Sequence, residues 1–237
     1  MKLSIIIPVL NSHEIVKRQF LHFSNIDLTD VEVILVDDGS SPPIQSLIKI
    51  LSVNIDKHIE NIKVIETNDY RSWTQPKARN IGASYAKGNI LIFTDIDHII
   101  TEQAINFGKN FKYDYGRFQR ELGILTEKGK LSQAPDELIK FGLPKEKAKT
   151  DLHIGCHVLS MFIKKDIFNK IGGFRENLLS YPTHDDGDMK RKLNKIENIK
   201  KCPDEERPLI YMFPNGRYCG NKNCNPLGFF HNLKRVA

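Results

Sequence analysis

Residues 89–97 read Asn-Ile-Leu-Ile-Phe-Thr-Asp-Ile-Asp, an apolar run that ends in two carboxylates. The run predicts a β-strand over 89–94 that is buried on both faces, as strands are in a parallel sheet covered by helices. Ligands bind such sheets beyond the carboxyl ends of their strands. The stretch therefore predicts an α/β fold with a polar site at Asp95 and Asp97.

The rest of the first hundred residues repeats this alternation of strand and helix. Apolar runs rich in β-branched residues predict three more strands, over 4–9, 31–36 and 62–66. Helical patterns follow Ser12 and cover 44–51 and 77–87. Strands that alternate with helices form βα units, so the pattern predicts a mostly parallel sheet flanked by helices.

The second half of the chain is less regular. Its patterns predict a strand over 157–164, helices over 166–171 and 185–199, and a loop or helical insertion over 132–150. Prolines, glycines and asparagines after Cys202 predict an irregular tail with at most short strands. We therefore predict one domain over 1–200, with halves at 1–98 and 99–200, and a tail over 201–237 that packs on it.

The composition excludes several classes of protein. The chain has 237 residues, of which 40% are hydrophobic and 27% charged, as is ordinary for a soluble globular protein. Its longest apolar stretches are far shorter than the ~20 residues that cross a bilayer. The apolar N-terminus is broken by Pro8 and indicates a strand and not a signal peptide. An integral membrane protein, a disordered chain and a secreted mini-protein are all disfavoured, and we expect a cytoplasmic location.

The four cysteines suit a reducing compartment, where they would be free thiols. Cys219 and Cys224 are separated by four residues, a spacing that looser zinc sites allow. The alternative is a pair of unpaired thiols in a loop.

Positive charge is concentrated in one segment. Residues 187–201 hold six basic and two acidic residues, so they carry +4 of the formal net charge of +6. A basic helix face over Lys190–Lys201 would suit nucleic acid, an anionic membrane surface or a phosphorylated substrate. The alternative is an ordinary solvated face.

Common nucleotide-binding and hydrolase motifs are absent, and carboxylates remain as the candidates for chemistry. No Gly-x-Gly-x-x-Gly follows the first strand, and no P-loop, His-Glu-x-x-His or Gly-x-Ser-x-Gly motif occurs. Asp95 and Asp97 would bind a hard divalent cation such as Mg²⁺ together with substrate phosphates. Asp37 and Asp38 follow the second strand, where one of them would accept N–H donors from a base, or both would serve the turn.

The third acidic group is Asp185-Asp186-Gly187-Asp188. A carboxylate held near the metal is a candidate general base for a hydroxyl nucleophile. The alternative is an N-cap at the start of a helix.

These residues carry a resemblance to family 2 glycosyltransferases with the GT-A fold. Each matching piece is short, but six occur in the family's order between residue 3 and about residue 196. The pieces are residues 4–11, 36–41, 77–82 and 89–97, the Gly172-Gly173-Phe174 turn and the acidic group at 185–188.

The resemblance implies transfer of a sugar from a nucleotide-diphosphate donor, with UDP the commonest nucleotide, and inversion at the anomeric carbon. A divalent metal, Mn²⁺ or Mg²⁺, would assist. Carried over by position, Asp97 is the first choice as metal ligand, Asp95 contacts the ribose, metal and diphosphate, and Asp186 is the catalytic base. The residues implied to line the donor pocket are Pro8, Asn11, Asp37, Asp38, Lys77, Arg79 and Asn80.

The sequence departs from the family pattern at the base motif, which begins with Asp185 where the family usually has glutamate. The base is therefore Asp185, Asp186 or Asp188. His231 is a candidate third metal ligand, as a C-terminal histidine is in some GT-A enzymes, or else a packed or exposed histidine. Trp73 and Gly155-Cys156 are candidates for the border of the sugar or acceptor site.

The resemblance leads us to expect an acceptor that is a growing glycan, lipid-linked or free, as in polysaccharide biosynthesis. Contact with a membrane surface would then run through Lys190–Lys201. The alternatives are a nucleic-acid or protein acceptor for the same chemistry, a nucleotidyltransferase, and a non-catalytic module that binds a nucleotide sugar.

Overall fold

The computed structural model describes residues 1–53, 55, 59–69, 74–176 and 184–214, and the side chains of Ile59 and residues 184–186 fall outside the description. The strands in these residues are β1 Leu3–Val9, β2 Val31–Asp37, β3 Ile62–Glu66, β4 Ile90–Phe93, β5 His98–Ile99, β6 Tyr115–Arg117, β7 Gln119–Leu122, β8 Ile124–Leu125, β9 Leu131–Ser132, β10 His153–Ile154, β11 Met161–Lys164 and β12 Leu209–Met212. The α-helices are α1 His13–Ser24, α2 Ile44–Ser52, α3 Gln75–Tyr85, α4 Glu102–Lys109, α5 Pro135–Lys140, α6 Lys145–Ala148, α7 Lys165–Lys170 and α8 His184–Asn194.

The central sheet has six strands in the order β3-β2-β1-β4-β11-β6. Its first four strands are parallel, and β11 runs antiparallel to both β4 and β6. The sheet is flanked by helices, so the predicted α/β fold with a mostly parallel sheet is confirmed. Because β11 lies next to β4, the second half of the chain contributes strands to the same sheet.

A second sheet has the order β10-β7-β12-β5, and β8 pairs with β9 in a short hairpin. The strand β12 comes from the segment predicted to be an irregular tail, and it lies between β7 and β5. The insertion at 132–150 contains two short helices, α5 and α6.

Two predicted elements are shorter in the structure than in the sequence pattern. The strand predicted over 157–164 begins only at Met161, because residues 155–160 form a loop. The helix predicted over 185–199 ends at Asn194, and Asn198 then adopts a positive φ of 57°, which is incompatible with a continuing helix.

The apolar core lies on both faces of the central sheet because successive side chains of a strand point to opposite faces. In β1, Ile5 and Ile7 pack with Val16 and Phe20 of α1 on one face. Ile6 packs on the other face, in a cluster that also includes Ala78 of α3 and Met189 of α8. A third apolar cluster lies around the second sheet. In the part of the chain that is described, no helix has the length and apolar character needed to cross a membrane.

Candidate active site

The polar residues predicted to form a site lie at one edge of the central sheet. Since β1, β2 and β4 are parallel, their carboxyl ends meet at that edge. Asp37 is the last residue of β2, and Asp95 comes two residues after the end of β4. Pro8 lies one residue before the end of β1 and is buried. The fold therefore brings the two acidic groups of the first half together.

Asp95 is held by side chains from two other parts of the chain, the helix α3 and the loop that contains His157. Arg79 Nη2 donates to Asp95 Oδ1 at 2.6 Å, and Gln75 Nε2 donates to the same oxygen at 3.1 Å. His157 Nδ1 lies 3.4 Å from Asp95 Oδ2. Burial alone would raise the pKa of Asp95, but Arg79, His157 and His98 outweigh it and keep the pKa below its usual range. Asp95 is therefore an anion whose orientation is fixed.

His98 is buried beside the carboxylates of Asp95 and Asp97. Arg120 Nη1 lies 2.8 Å from His98 Nε2, and because a guanidinium only donates hydrogen bonds, Nε2 accepts. Burial lowers the pKa of His98 to about 3, so the ring is neutral at pH 7. Its Nδ1 lies 3.2 Å from Ser160 Oγ and 3.4 Å from the backbone nitrogen of Asp95.

The donor set at this edge fits a hard divalent cation held by carboxylates. Asp95, Asp97 and His98 bring ligand atoms within 4.8 Å of one another. Mg²⁺ and Mn²⁺ prefer oxygen ligands. The carboxylates of Asp97 and Asp95 are therefore the first candidates to hold a metal, and His98 lies beside them as a third candidate ligand.

Asp38 faces the loops that follow β3 and precede α3. Its Oδ1 accepts a hydrogen bond from Thr67 Oγ1 at 2.8 Å, and its Oδ2 accepts one from Thr74 Oγ1. The residue is buried, with 6% of its surface exposed. Two hydroxyl donors hold the carboxylate in one orientation at the sheet edge.

The neighbouring Asp37 has a different role. Its Oδ1 and Oδ2 accept hydrogen bonds from the backbone N–H groups of Ser40 and Ile44, both at 2.8 Å. The carboxylate thereby holds the turn after β2 and the start of α2, which was the alternative considered for this acidic pair. Both oxygens of Asp37 therefore face the protein's own backbone, and the donor contact implied for this residue stays a prediction.

Asn11 and Asn80 also build the scaffold of the site. Asn11 Oδ1 accepts from Ser41 N at 2.7 Å, which ties the loop after β1 to the loop after β2. Asn80 Oδ1 accepts from Phe174 N at 2.8 Å, and its Nδ2 donates to Phe174 O at 2.9 Å. Gly173 is required beside it, because its φ is +61° and a Cβ there would lie 2.6 Å from Asn80 Oδ1.

Lys77 and Arg79 both project from α3. Lys77 Nζ donates to Asp69 Oδ2 at 2.8 Å, so the cation implied to meet the donor is held in an ion pair at the border of the site. Arg79 is 1% exposed, and its guanidinium carbon lies 5.4 Å from the centre of the Phe174 ring. The arginine side of the Arg79–Asp95 ion pair is therefore shielded from solvent.

The third acidic group lies at the start of α8. The backbone of Asp185 and Asp186 belongs to the first turn of this helix, and their side chains fall outside the description. Asp188 lies 3.5 Å from Lys192 Nζ and 3.7 Å from Arg191 Nη2 on the same helix. These ion pairs favour a helix-stabilising role for Asp188 over that of a base. His231, Trp73, Cys219 and Cys224 lie outside the described residues.

The structure adds site residues that the sequence analysis missed. His98 follows Asp97 directly, and this adjacency was the available signal. His157 and Ser160 belong to the loop 155–160, next to the predicted border residues Gly155 and Cys156. Arg120 anchors that loop, since its Nε donates to Gly155 O at 2.8 Å. No local sequence pattern connects Arg120 with His98, because Arg120 belongs to β7 and the two residues come together only in the folded structure.

The order of strands and the carboxylates at their ends agree with a comparison of the sequence with protein families. The family model described as "Glycosyl transferase family 2" matches residues 4–171. The chain is a member of glycosyl transferase family 2. The resemblance inferred from the six sequence pieces is thereby confirmed.

Two relatives of this family member have assigned names. It is 29% identical over 189 residues, 78% of this chain and 27% of the relative, to poly(ribitol-phosphate) β-glucosyltransferase of Bacillus spizizenii. It is 28% identical over 105 residues, 44% of this chain and 32% of the relative, to GalNAc(5)-diNAcBac-PP-undecaprenol β-1,3-glucosyltransferase of Campylobacter jejuni. The chain thus spans less than a third of the length of these relatives.

Solved structures share the fold. A structure of S. aureus TarS (residues 1–349) with UDP-GlcNAc has a TM-score of 0.59 and 19% identity, covering 93% of this chain and 61% of that one. The mannosyltransferase PcManGT of Pyrobaculum calidifontis with GDP-Man and Mn²⁺ has a TM-score of 0.58 and 14% identity, covering 92% and 58%. The α/β fold of this family 2 member is therefore that of known glycosyltransferases.

Proposed function

We propose that this chain transfers a sugar from a nucleotide-diphosphate donor to a hydroxyl group of a glycan, with inversion at the anomeric carbon. The observation that carries the proposal is the meeting of Asp38, Arg79, Asp95 and Asp97 at the carboxyl edge of the parallel strands. In open α/β sheets this edge is where nucleotides bind. UDP is the first nucleotide to test, and the UDP-GlcNAc complex of a protein with the same fold supports that choice.

The carboxylates would hold a divalent metal, Mn²⁺ or Mg²⁺. Asp97 and Asp95 supply the oxygen ligands, and the Mn²⁺ complex of a protein with the same fold supports this proposal. When bound, such a metal stabilises the negative charge that develops on the leaving diphosphate. Arg79 keeps Asp95 ionised and oriented, and His98 and Arg120 support the same edge from behind.

Other residues of the first half would bind the nucleotide. Asp38 accepts N–H donors from the base, and Thr67 and Thr74 hold its carboxylate in place. Pro8 and Asn11 line the same pocket, next to the turn that Asp37 holds. Lys77 lies at the border, where its charge would attract the donor phosphates.

A carboxylate at the start of α8 would remove the proton from the acceptor hydroxyl. The pKa of a sugar hydroxyl is far above 7, so a base must take this proton as the new bond forms. The family pattern favours Asp186, with Asp185 as the alternative. Asn80 fixes the segment that leads toward α8 through its hydrogen bonds to Phe174, so it is a positioning residue.

The acceptor would be a polymeric or lipid-linked glycan. The names of the two sequence relatives, which refer to poly(ribitol phosphate) and to a glycan on PP-undecaprenol, support this choice. A cytoplasmic location is part of the proposal.

The test is donor binding with and without metal. Isothermal titration of UDP-GlcNAc, UDP-glucose and GDP-mannose is expected to give saturable binding for at least one donor that strengthens with Mn²⁺. Asp97→Asn should abolish the effect of the metal, whereas Asp136→Asn, an exposed aspartate of α5, should leave it unchanged. If no donor binds under any condition, the proposal is wrong.

A transfer assay then separates the remaining alternatives. Binding of a nucleotide sugar without transfer to any glycan would favour a non-catalytic module, and release of pyrophosphate from a nucleoside triphosphate would favour a nucleotidyltransferase. Transfer to a nucleic-acid or protein acceptor would keep the chemistry and change the substrate.

The basic segment Lys190–Lys201 would bring the enzyme to an anionic membrane surface. Lys190, Lys195, Lys200 and Lys201 are all exposed. Lys170, Lys192 and Lys195 surround a groove of about 450 Å³ whose walls include Ile171 and Ile196. Lysines around apolar side chains suit anionic headgroups. Sedimentation with phosphatidylglycerol vesicles should fall in Lys190→Glu/Lys195→Glu and stay unchanged in Lys130→Glu.

A further inference from the structure

Gln19 is a buried polar side chain on α1, a helix that the sequence analysis did not connect with the site. Only 1% of its surface is exposed. Ile15, one helical turn earlier on α1, belongs with Ile99 of β5 to the apolar cluster around the second sheet. Burying an amide is costly unless its polar atoms are hydrogen-bonded. The partners of Gln19 therefore decide what the residue does.

The amide of Gln19 holds the backbone of residues 95–98, which we name the acidic loop. Its Nε2 donates to Ile96 O at 3.1 Å and to His98 O at 2.6 Å. These carbonyls belong to the residues on either side of Asp97. Because a side-chain amide has two N–H donors, one group can serve both carbonyls. Gln19 thereby fixes the backbone before and after Asp97.

The other two carbonyls of the acidic loop have backbone partners. Asp95 O accepts a hydrogen bond from His98 N, and Asp97 O accepts one from Phe213 N, both at 3.0 Å. Buried backbone groups without partners are destabilising, so such loops have to be supplied with donors. Each of the four carbonyls has one here, and a single side chain from α1 supplies two of the four.

The glutamine is kept at a cost to the packing of α1. Its Oε1 is buried and has no hydrogen-bond partner among the described residues. A buried acceptor without a partner lowers stability. Methionine has a similar length and would avoid that cost, but it would leave the two carbonyls of the acidic loop without their donor. Glutamine at this position therefore favours a fixed acidic loop over a fully apolar helix face.

The side chain of Asp95 is anchored independently of Gln19. Arg79 and Gln75, both on α3, donate to its Oδ1. A displacement of the loop backbone would consequently move Asp97 relative to a carboxylate that stays in place. The separation of the two carboxylates thus depends on the hydrogen bonds that Gln19 makes.

We propose that Gln19 is a positioning residue, which holds Asp97 at the separation from Asp95 that a divalent cation requires. The inference rests on the proposed function and extends the metal site to a residue of α1. Gln19 is buried beneath the acidic loop, so it acts through the loop backbone. Loss of the groups that orient metal ligands typically weakens metal affinity by about 10–100-fold.

The test is Mn²⁺ binding by variants of Gln19. Mn²⁺ is titrated at a fixed, saturating UDP concentration and followed by electron paramagnetic resonance, and a protein-free titration with UDP is subtracted. Gln19→Met should weaken Mn²⁺ binding about tenfold or more and change the spectrum of the bound ion. Gln19→Glu keeps the size but has no N–H donor, so it should lose at least as much. UDP affinity in EDTA should stay unchanged in both variants.

His22 offers a matched control on the same helix. It is buried, and its Nε2 lies 2.8 Å from Ile100 O, two residues beyond the acidic loop. His22→Met therefore removes a similar contact of α1 without touching the backbone beside Asp97. It should lower the melting temperature and leave Mn²⁺ affinity unchanged.

Three results would overturn the inference. Variants of Gln19 could bind Mn²⁺ as tightly as wild type does, His22→Met could weaken Mn²⁺ binding as much as Gln19→Met does, or neither Gln19 variant could fold, which would make the role purely structural. A failure of the proposed function gives a different result, because the wild-type protein itself would then bind no UDP or show no Mn²⁺ bound with UDP.

Discussion

The two halves of the chain bring residues to the site by different routes. In residues 1–98, parallel strands joined by helices place Asp38 and Asp95 at one sheet edge because each acidic group directly follows its strand. In the remainder, short strands pair over long distances, as β12 does with β7 and β11 does with β4. The first route is local and repeats along the chain, whereas the second depends on the completed fold.

The two halves of the chain hold different parts of the proposed site. The first half holds the groups proposed to bind the nucleotide and metal, and the second half holds the proposed base. Contacts that connect the halves, such as those of His157 with Asp95 and of Phe174 with Asn80, hold the two groups of residues next to each other.

The largest effect is expected from the base in the second half. Asp186→Asn should lower kcat about 10²–10⁴-fold, because the acceptor hydroxyl loses its proton acceptor, while UDP affinity stays unchanged. Asp185→Asn is the matched control and should have a much smaller effect. Steady-state transfer kinetics and UDP titration measure the two quantities. Equal kcat values in both variants and wild type would contradict a base in this segment.

A core substitution tests whether the halves unfold together. Phe162 of β11 is fully buried, and its ring centroid lies 4.3 Å from that of Phe118 and 5.3 Å from that of Phe111. Phe162→Ala should lower the free energy of unfolding by about 3–5 kcal/mol and leave a single transition in urea. Ile50→Ala, which is exposed on α2, should change it by less than about 0.5 kcal/mol. Two separate transitions would indicate independently folding halves.

Adjacent carboxylates in the first half should respond differently to the same substitution. Asp37→Asn leaves one backbone N–H without its acceptor and should lower the free energy of unfolding by about 1–3 kcal/mol. Asp38→Asn should instead weaken UDP binding by about tenfold with a smaller change in stability. Urea denaturation and UDP titration of both variants test the contrast, and a greater loss of UDP affinity in Asp37→Asn would reverse the assignment.

The smallest effect concerns pH and a buried carboxylate far from the site edge. Burial alone would raise the pKa of Glu32, but Lys63 Nζ at 2.7 Å, Lys87 N and Ser4 Oγ lower it below its usual 4.5. Since the folded pKa is the lower one, this stabilisation is present above about pH 4.5 and is lost as the pH falls through the folded pKa.

Glu32→Gln should therefore cost about 1 kcal/mol at pH 7 and progressively less below pH 4.5. Melting temperatures of wild type and variant, measured from pH 7 to pH 3, should converge at the acid end. Glu205→Gln, an exposed glutamate, should give a curve parallel to that of wild type. A gap for Glu32→Gln that widens in acid would contradict the sign.

The sequence predicted the elements of the first half well because their signals are local. Apolar runs gave all four parallel strands, and the helix predicted over 77–87 is α3, Gln75–Tyr85. In the second half, the strand predicted over 157–164 proved to be a loop followed by β11. The loop is held by the contacts of Arg120 with Gly155 and of Ser160 with His98, each of which joins residues more than thirty positions apart, and no local pattern reports such contacts.

The amino-acid sequence by itself determined the α/β fold class, the family and the acidic edge, because hydrophobic periodicity and the residues that end each strand are properties of short segments. Only the tertiary structure determined which partners each of two neighbouring residues contacts. Asp37 faces backbone N–H groups and Asp38 faces two hydroxyls, and Arg120 donates a hydrogen bond to His98. Charge, burial and hydrogen-bond partners at a site are set by residues that are distant in the chain, and folding is what brings them together.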